Sequence, residues 1–352
     1  VAMIFTTHNQ SFYHQPVGVV TSVKNGHPQK QVDQFKNVDH LTSQTLQLRL
    51  ENGRYRGQTV KVANTFSDSQ GTDLRYRVKD QVLLTQLHKS KGHLTANVSG
   101  PKRDVVIVFL AWLVVTMLLV MMGRSGSFAL LSVVINAILL FIAIKINVNN
   151  QATAVLLIFS LLALLFAVVS LLLVIGPSKR MLATLGATIL GTAAAMLISA
   201  IVLWATKEKG VYYESMQYVT QVPKPLFLAE TLLGSLGAVM DESSDISATL
   251  FQLKRLNPDI SGRELFIAGR NVGKSIMGPL INVLFFIFMA DTFTPALLYI
   301  KNGNSWGYTF AMNMCLGTVQ SLISGIGIVL AIPLASGLMA ILLGRRETND
   351  HN

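Results

Sequence analysis

Hydrophobic and polar positions change their spacing once along the chain, close to residue 104. Before it, short stretches alternate between apolar and polar residues, as in LTSQTLQLRL at 41–50. After it, apolar runs of about 20 residues recur between short polar turns, which is the length that a helix needs to cross a bilayer. The pattern predicts an N-terminal β domain over residues 1–104 and a helical membrane domain over residues 105–346.

The alternating stretches predict an antiparallel sheet. QTVKVANTF at 58–66 alternates as 41–50 does, and the Asn52-Gly53 pair between them is typical of a hairpin turn. Further strands are predicted at 17–23, 75–87 and 93–98. Short strands joined by Gly and Asn turns favour a small barrel, OB-like or SH3-like.

The membrane domain divides into seven predicted helices. The first six cover 105–122, 127–146, 152–175, 181–206, 226–253 and 275–300. The last apolar stretch, 309–343, is longer than one crossing needs. We therefore expect a short interfacial helix that breaks near Ser324-Gly325, followed by a seventh crossing helix.

Basic residues are distributed unevenly between alternate turns of the membrane domain. Short cytoplasmic loops carry the excess of Lys and Arg, so the richer set of turns is predicted to face the cytoplasm. That set holds ten basic residues, Arg124, Lys179, Arg180, Lys254, Arg255, Arg263, Arg270, Lys274, Arg345 and Arg346. The other set holds five, Lys145, Lys207, Lys209, Lys224 and Lys301.

This orientation describes a multi-pass protein of the plasma membrane. The β domain is extracytoplasmic, and the tail at 347–352 is cytoplasmic. We then expect the chain before Val1 to cross the membrane or to be a cleaved signal. We expect the apolar VAMIF at 1–5 to be the remnant of such an anchor; the alternative is a first strand.

The composition of the chain limits the classes of protein to which it can belong. Only 13% of the 352 residues are charged, against about 25% in soluble domains. Cys315 is the single cysteine, which excludes a disulfide within the chain. Residues 1–104 hold 14 Lys and Arg against 7 Asp and Glu, a balance of +7 out of the net +11. A basic domain beside a bilayer favours anionic lipid headgroups or an anionic envelope polymer, and its external position argues against nucleic acid.

Catalytic and cofactor motifs are absent from the sequence. GRNVGKS at 269–275 has one residue too few between its glycines for a P-loop, and no strand precedes it. The histidines of the β domain lack the tight spacing of metal ligands, and the membrane domain has no histidine before His351. We therefore expect no enzyme activity, no metal and no cofactor.

Four acids in predicted helix 5 are the main candidates for function, because carboxylates within an apolar helix are costly in lipid. They are Glu230, Asp241, Glu242 and Asp245. Glu230 and Asp241 share one face with Gly234 and Gly237 at helical spacing. We expect this face to pack closely on helix 4 or helix 6, with Asp241 shielded from lipid.

Two interpretations of these acids remain open. A shielded carboxylate can load and release a proton or a cation, as an ion-coupled carrier requires. Alternatively, Asp241 and Asp245 lie at the cytoplasmic interface and pair with Arg263, Arg270 or Lys274. Glu230, near the outer end of the helix, would then be simply solvated.

The connector after helix 5 predicts a short amphipathic helix. Ser261 and Glu264 form a capping-box pattern, and GRELFIAGRNVGKS mixes apolar and basic residues. We expect this elbow to lie on the inner leaflet and to join helix 6 flexibly, through the glycines that precede Pro279. Its polar residues, expected to face the acids of helix 5, are Arg263, Arg270, Asn271 and Lys274.

Two further polar residues lie within predicted helices. Asn282 in helix 6 and Gln320 in helix 7 are candidates for lining a polar path. The alternatives are an interhelical hydrogen bond for Asn282 and close helix packing around Gln320.

Four strings of the sequence resemble one known family. They are LGSLGAVMDESSDISATLFQLKRLNPDISGRELFIAGRNVGKSIMGPLINVLFF, SGIGIVLAIPLASGL, GRYRGQTVKVANTFSDSQ and YRVKDQVLL. The family is the YibE/F-like family of bacterial membrane proteins. Lys274 and Pro279 depart from its pattern, in which an acid and a threonine are usual. The resemblance implies the topology above, a loose grouping with transporters, and a paired paralogous membrane protein as a partner.

Two functions fit this organisation. The first is a transporter or exporter module, coupled to protons or cations through the acids of helix 5, whose β domain handles an anionic substrate. The second is a non-transporting envelope protein whose β domain binds an anionic polymer or a partner protein. In both cases the chain contacts membrane lipids, and we expect a homo-oligomer or a complex with the paired paralogue.

A reporter enzyme that is active only in the cytoplasm tests this orientation. The turn between helices 2 and 3 belongs to the set poor in Lys and Arg, so we expect a fusion after Asn150 to be inactive. A fusion after Ser178, in the next turn, should be active. Cytoplasmic activity of the Asn150 fusion would reverse the predicted topology.

Overall fold

The computed structural model describes residues 5–6, 8–34, 36–71, 73–90, 93–149, 154–216 and 222–344. The chain forms two compact units, Val1–Met121 and Met122–Asn352. Apart from Phe5, the anchor predicted at 1–5 lies outside the described residues. Arg345, Arg346 and the tail at 347–352 lie outside them as well.

The first unit contains an antiparallel sheet that curls into a half-barrel. Its strands are β1 (Val17–Asn25), β2 (Gln29–Val32), β3 (Val38–Leu50), β4 (Thr59–Ser67), β5 (Gln81–Ser90) and β6 (His93–Pro101). The hydrogen-bonded order is β4–β3–β1–β5–β6, and β2 pairs with the beginning of β3. The prediction of a small barrel-type β domain is confirmed.

Alternation along β3 explains why the sheet curls. Leu46, Leu48 and Leu50 are at most 1% exposed, and the polar residues between them face outward. These leucines share one apolar core with Val62 of β4 and Leu94 of β6. Because the strands at both ends of the ladder contribute to the same core, the sheet must bend around it.

A buried glutamine, Gln44, fastens the irregular segment before β5 to the sheet. It is 1% exposed. Its Nε2 donates to the carbonyl oxygen of Tyr76 at 3.0 Å, and its Oε1 accepts from the Tyr76 backbone N–H at 3.1 Å. Asn64 donates to the same Oε1 and to the carbonyl oxygen of Leu74. These amides supply hydrogen bonds to a backbone that lies outside the strands.

Helix α1 (Asp104–Met122) completes the first unit. Its first residue is held by the N-terminal segment, because Asp104 Oδ2 accepts from Asn9 Nδ2 at 3.0 Å and from the Tyr13 hydroxyl at 3.1 Å. The buried Lys102 ammonium lies 3.2 Å from the same oxygen. No residue of α1 is buried, so its apolar surface is open all round.

The second unit consists of helices. They are α2 (Arg124–Asn149), α3 (Val155–Ile175), α4 (Lys179–Ala205), α5 (Pro223–Leu256), α6 (Gly262–Lys301) and α7 (Trp306–Gly344). Among the described residues, all of these helices except α5, together with α1, are long and apolar enough to cross a membrane. The predicted polytopic membrane domain of seven helices is confirmed.

Although α5 is polar, it runs beside α7 through the bundle. A Cβ added at Gly234 would lie 3.2 Å from Gln320 Nε2, and one added at Gly327 would lie 2.6 Å from Val239. Near the end of α5, Leu250 and Ser336 both approach Gly269 of α6. These contacts extend over about 24 Å of α5 by helical rise. The apolar helices therefore cover one face of α5 over most of the length of a crossing.

The predicted break between the elbow and helix 6 is wrong. The capping box at Ser261 starts a helix, as expected, but this helix is α6 and it continues without interruption to Lys301. A Cβ at Gly269 would lie 2.3 Å from Ser336 Oγ, and one at Gly273 would lie 2.6 Å from Ile332. These glycines allow α6 to pack closely on α7, so they are packing positions and not hinges.

The break predicted near Ser324-Gly325 is also wrong. α7 runs through this pair to Gly344, and its irregular part is a π-helical turn at Phe310–Met314. In hydrocarbon, an interrupted helix would leave backbone N–H and C=O groups without partners. A long continuous helix satisfies them and can tilt to fit the bilayer.

Alanine at Gly269 or Gly273 tests the packing of α6 on α7. Both substitutions force a Cβ into the side chains of α7, and we expect each to lower the free energy of unfolding by about 1–3 kcal/mol. Thermal unfolding in detergent measures this loss. Gly278→Ala is the matched control, because no atom lies within 4 Å of its added Cβ. Equal behaviour of the three variants would contradict the packing role.

Candidate functional site

A polar cavity of about 590 Å³ lies between α5, α6 and α7. It is near the end of the bundle that holds the α6–α7 turn, and a short 3₁₀ turn at Tyr213–Ser215 borders it. Its lining is Ser215, Met216, Phe227, Glu230, Gly234, Leu284, Ile287, Phe288, Asp291, Thr292, Met312, Asn313, Leu316, Gly317, Gln320, Ser321 and Ser324. The cavity therefore brings two acids and several amides and hydroxyls together among membrane helices.

The charge of this cavity is negative. Glu230 and Asp291 are both exposed to it, and no Lys, Arg or His is part of the lining described above. Lys224, one turn and a half before Glu230, forms an ion pair with Glu208 instead. Burial, and then the charge of Glu208, raise the pKa of Tyr213 beside the cavity, so its phenol stays neutral and adds no charge.

Local backbone features open this space. Pro295 in α6 has no N–H, so the carbonyl oxygen of Asp291 lacks its helical donor. The π-helical turn at Phe310–Met314 brings Asn313 to α6, where its amide Nδ2 donates to the carbonyl oxygen of Thr292 at 3.0 Å. Irregular helical turns of this kind are common at functional sites.

A second candidate feature is the buried carboxylate of Glu242 on α5. The residue is 1% exposed, and neither carboxylate oxygen has a hydrogen-bond partner in the described part of the chain. Val239 and Ile246, one turn to each side, are completely buried. An ionised carboxylate without a partner is costly in such surroundings. Glu242 is thus a natural position for a bound proton or cation.

Serine hydroxyls accompany Glu242 in the bundle. Three of them are completely buried and have no hydrogen-bond partner among the residues that the structure describes. They are Ser243 and Ser247 on α5 and Ser336 on α7. Unsatisfied buried hydroxyls are unusual in folded proteins, and each calls for an explanation such as a bound ion or water.

The prediction that Asp241 is shielded within a helix contact is wrong. Asp241 and Asp245 are exposed, and the buried face of α5 carries Val239, Glu242 and Ile246. Helical geometry turns by about 100° per residue, so a shift of one residue exchanges the exposed acid for the buried one. The sequence signal for the correct face was the spacing of fully apolar residues, not that of the glycines.

The pairing predicted between helix 5 and the elbow is not found within the described residues. No nitrogen of Arg263, Arg270 or Lys274 lies within 4.0 Å of a carboxylate there. These residues and Asn271 are all exposed on α6. The charge of Asp245 acts instead on Arg180 at the start of α4, a residue that the sequence pattern placed in a turn.

The polar-path residues divide into two groups. Glu230 and Gln320 both line the cavity, and Gln320 lies beside Gly234, one turn after Glu230. Asn282 is exposed on α6 and is not part of the cavity lining. Asp291 and Ser324 were missed as site residues, although an acid ahead of Pro295 in an apolar helix was a readable signal.

Removal of the buried charge tests the environment of Glu242. We expect Glu242→Gln to raise the free energy of unfolding by about 1 kcal/mol or more, since it removes a carboxylate without partners. Asp245→Asn is the matched control, because Asp245 is exposed on the same helix, and its effect should be small. Thermal unfolding in detergent, at neutral pH, compares the two. Destabilisation by Glu242→Gln would indicate a partner that supports the charge.

Comparison with known proteins assigns a family to both units. The description "YibE/F-like protein" matches residues 110–345, and "YibE/F family N-terminal domain" matches residues 11–101. No curated protein and no solved structure matches the chain. Within the described residues, no group of three or more His, Cys, Asp or Glu side chains is placed to hold a metal ion. The match over most of the chain shows that this protein belongs to the YibE/F-like family and is an integral membrane protein.

Proposed function

We propose that the chain is a transporter or exporter module, coupled to protons or cations through an acid on α5. The observation that carries the proposal is the buried carboxylate of Glu242, whose two oxygens have no partner among the described residues. Stability alone does not favour such a group. Intramembrane acids of this kind mark ion pathways and proton relays in transporters.

The cavity supplies the second part of the proposed path. Its deep end reaches Ser324 on α7 and Gly234 on α5. Gly234 precedes Glu242 by eight residues, which is about 12 Å along the helix axis. A ligand in the cavity and an ion at Glu242 would therefore occupy neighbouring positions on the same helix.

The proposal places the protein in a bacterial plasma membrane, with the β domain outside and the C-terminus in the cytoplasm. In this orientation the cavity is at the outer end of the bundle, and Asp245 and Arg180 lie toward the inner end. The open surface of α1, which has no buried residue, supports contact with lipid, a second copy or a paired paralogue.

Reconstitution into proteoliposomes with an enclosed pH-sensitive dye tests coupling. We expect the purified protein to dissipate an imposed proton or sodium gradient, and Glu242→Gln to reduce that rate at least tenfold. Asp259→Asn, an exposed acid in the α5–α6 turn, is the matched control and should keep the rate. Coupling through Glu242 fails if both variants behave as the unaltered protein does.

A second candidate function, that of an envelope protein without transport, is favoured by the charge of the β domain. Its 14 Lys and Arg outnumber its 7 Asp and Glu, which suits an anionic polymer or an acidic partner protein. Under this alternative, deletion of the β domain abolishes the cellular phenotype, whereas Asp241→Asn and Glu242→Gln leave every flux and the phenotype unchanged.

A further inference from the structure

The acidic cavity between α5, α6 and α7 has a charge that selects the class of its ligand. Glu230 and Asp291 face it without a hydrogen bond or ion pair to any described residue. Two carboxylates in a cleft of low dielectric repel an anion and attract a cation much more strongly than in water. The anionic substrate expected from the basic β domain does not fit this site.

A third polar group in the cavity also has no hydrogen-bond partner among the described residues. Ser324 lines its deep end, is 4% exposed, and makes no hydrogen bond to any described residue. Serines in helices usually bond to the carbonyl oxygen of the preceding turn. The hydroxyl of this buried residue is therefore available to bond to a ligand or water in the cavity.

Acceptors dominate the remaining polar lining. The carbonyl oxygen of Asp291 lacks its helical donor because of Pro295. One N–H of the Asn313 amide donates to the carbonyl oxygen of Thr292, and the Asn313 side-chain oxygen remains available as an acceptor. A ligand that matches this site must therefore donate several hydrogen bonds and carry positive charge.

The size and the apolar wall distinguish an organic cation from a metal ion. About 590 Å³ is within the range of pockets for small organic ligands. Phe227 and Phe288 contribute aromatic rings to the wall. Gly317 makes room for the Phe288 ring, because a Cβ added at Gly317 would lie 2.3 Å from that ring. Aromatic rings attract organic ammonium groups. A compact metal site would need more converging ligands than the two acids.

We propose that this cavity binds an organic ammonium ion, with Glu230 and Asp291 balancing its charge. That the ammonium ion is transported rests on the transport function proposed above. That it binds in the cavity at equilibrium does not depend on transport. The ammonium group belongs either to a free amine or to an amine headgroup of a lipid that enters from the bilayer.

Equilibrium binding of ethidium, a fluorescent organic cation, to the full chain in neutral detergent tests the proposal. We expect saturable binding that tetraethylammonium or spermidine displaces. Asp291→Asn and Glu230→Gln should each weaken ethidium binding at least tenfold. Asp291→Glu keeps the charge and should keep most of the binding. Asp259→Asn, far from the cavity in the α5–α6 turn, should bind as the unaltered protein does.

A variant that fills the cavity without changing its charge separates the loss of binding space from effects of charge on folding. Gly234→Leu retains both acids but fills the space beside Gln320, so it should also lose ethidium binding while unfolding normally on heating. Phosphatidylethanolamine added to the micelles distinguishes the two sources of the amine. Displacement of ethidium by this lipid at low mole fraction supports a headgroup ligand, and displacement by spermidine alone supports a free amine.

Three results would overturn the inference. The first is that Ca²⁺ or Mg²⁺ displaces ethidium but tetraethylammonium does not. The second is that the anionic dye anilinonaphthalene sulfonate competes with ethidium and binds equally well. The third is that all the cavity variants bind ethidium as the unaltered protein does. Cation binding without any ion-coupled flux in proteoliposomes would leave the site standing and remove the proposed transport. Ion-coupled flux without ethidium binding would support the proposed transport and remove the organic-cation site.

Discussion

The membrane unit depends on one constraint, the need to keep a polar helix away from hydrocarbon. α5 carries four acids and several serines, and it is the helix that is not apolar enough to cross a membrane by its own composition. Lipid offers no partner for such side chains. The neighbouring helices therefore bury the face of α5 that carries Glu242, Ser243 and Ser247, while Asp241 and Asp245 remain exposed. Close enclosure is possible because Gly191 of α4 and Gly327 of α7 both receive the side chain of Val239. Glu242 lies one turn further along this tightly packed core.

The local pattern of the sequence was sufficient for the elements and their order. Alternation in 41–50 and 58–66 predicted β3 and β4, and the apolar runs predicted seven helices, the first five close to their observed bounds. The capping box at Ser261 marked the start of α6 correctly. What the pattern could not predict depends on distant neighbours. Gln44 is polar at a position where β3 needs an inward residue, and its role is visible only once Tyr76 lies against it.

Glycine illustrates why the site was harder to predict than the fold. On α6, Gly269 and Gly273 suggested flexibility, yet they are filled by the side chains of α7. On α5, Gly234 and Gly237 both suggested close packing. Gln320 of α7 does approach Gly234 at the cavity wall, but no atom lies within 4 Å of a Cβ added at Gly237. A glycine allows a neighbouring helix to pack closely, a cavity to form or the helix to bend. Which of these occurs depends on the partner helix. The same ambiguity assigned Asp241 to the buried face in place of Glu242.

The two proposed ion positions are close enough to influence each other through space. Glu230, which balances the charge of the proposed ammonium ion, and Glu242 are about 18 Å apart along α5 by helical rise. At an effective dielectric constant of about 20, two unit charges at that distance interact by about 0.9 kcal/mol, which is a factor of about five in binding. An ammonium ion in the cavity would therefore favour the ionised form of Glu242, and so promote release of its proton. By thermodynamic reciprocity, proton loading at Glu242 would weaken cation binding by the same factor. That sign is the one required for exchange of an outgoing cation against an incoming proton, and it follows from electrostatics before any movement of the helices is considered.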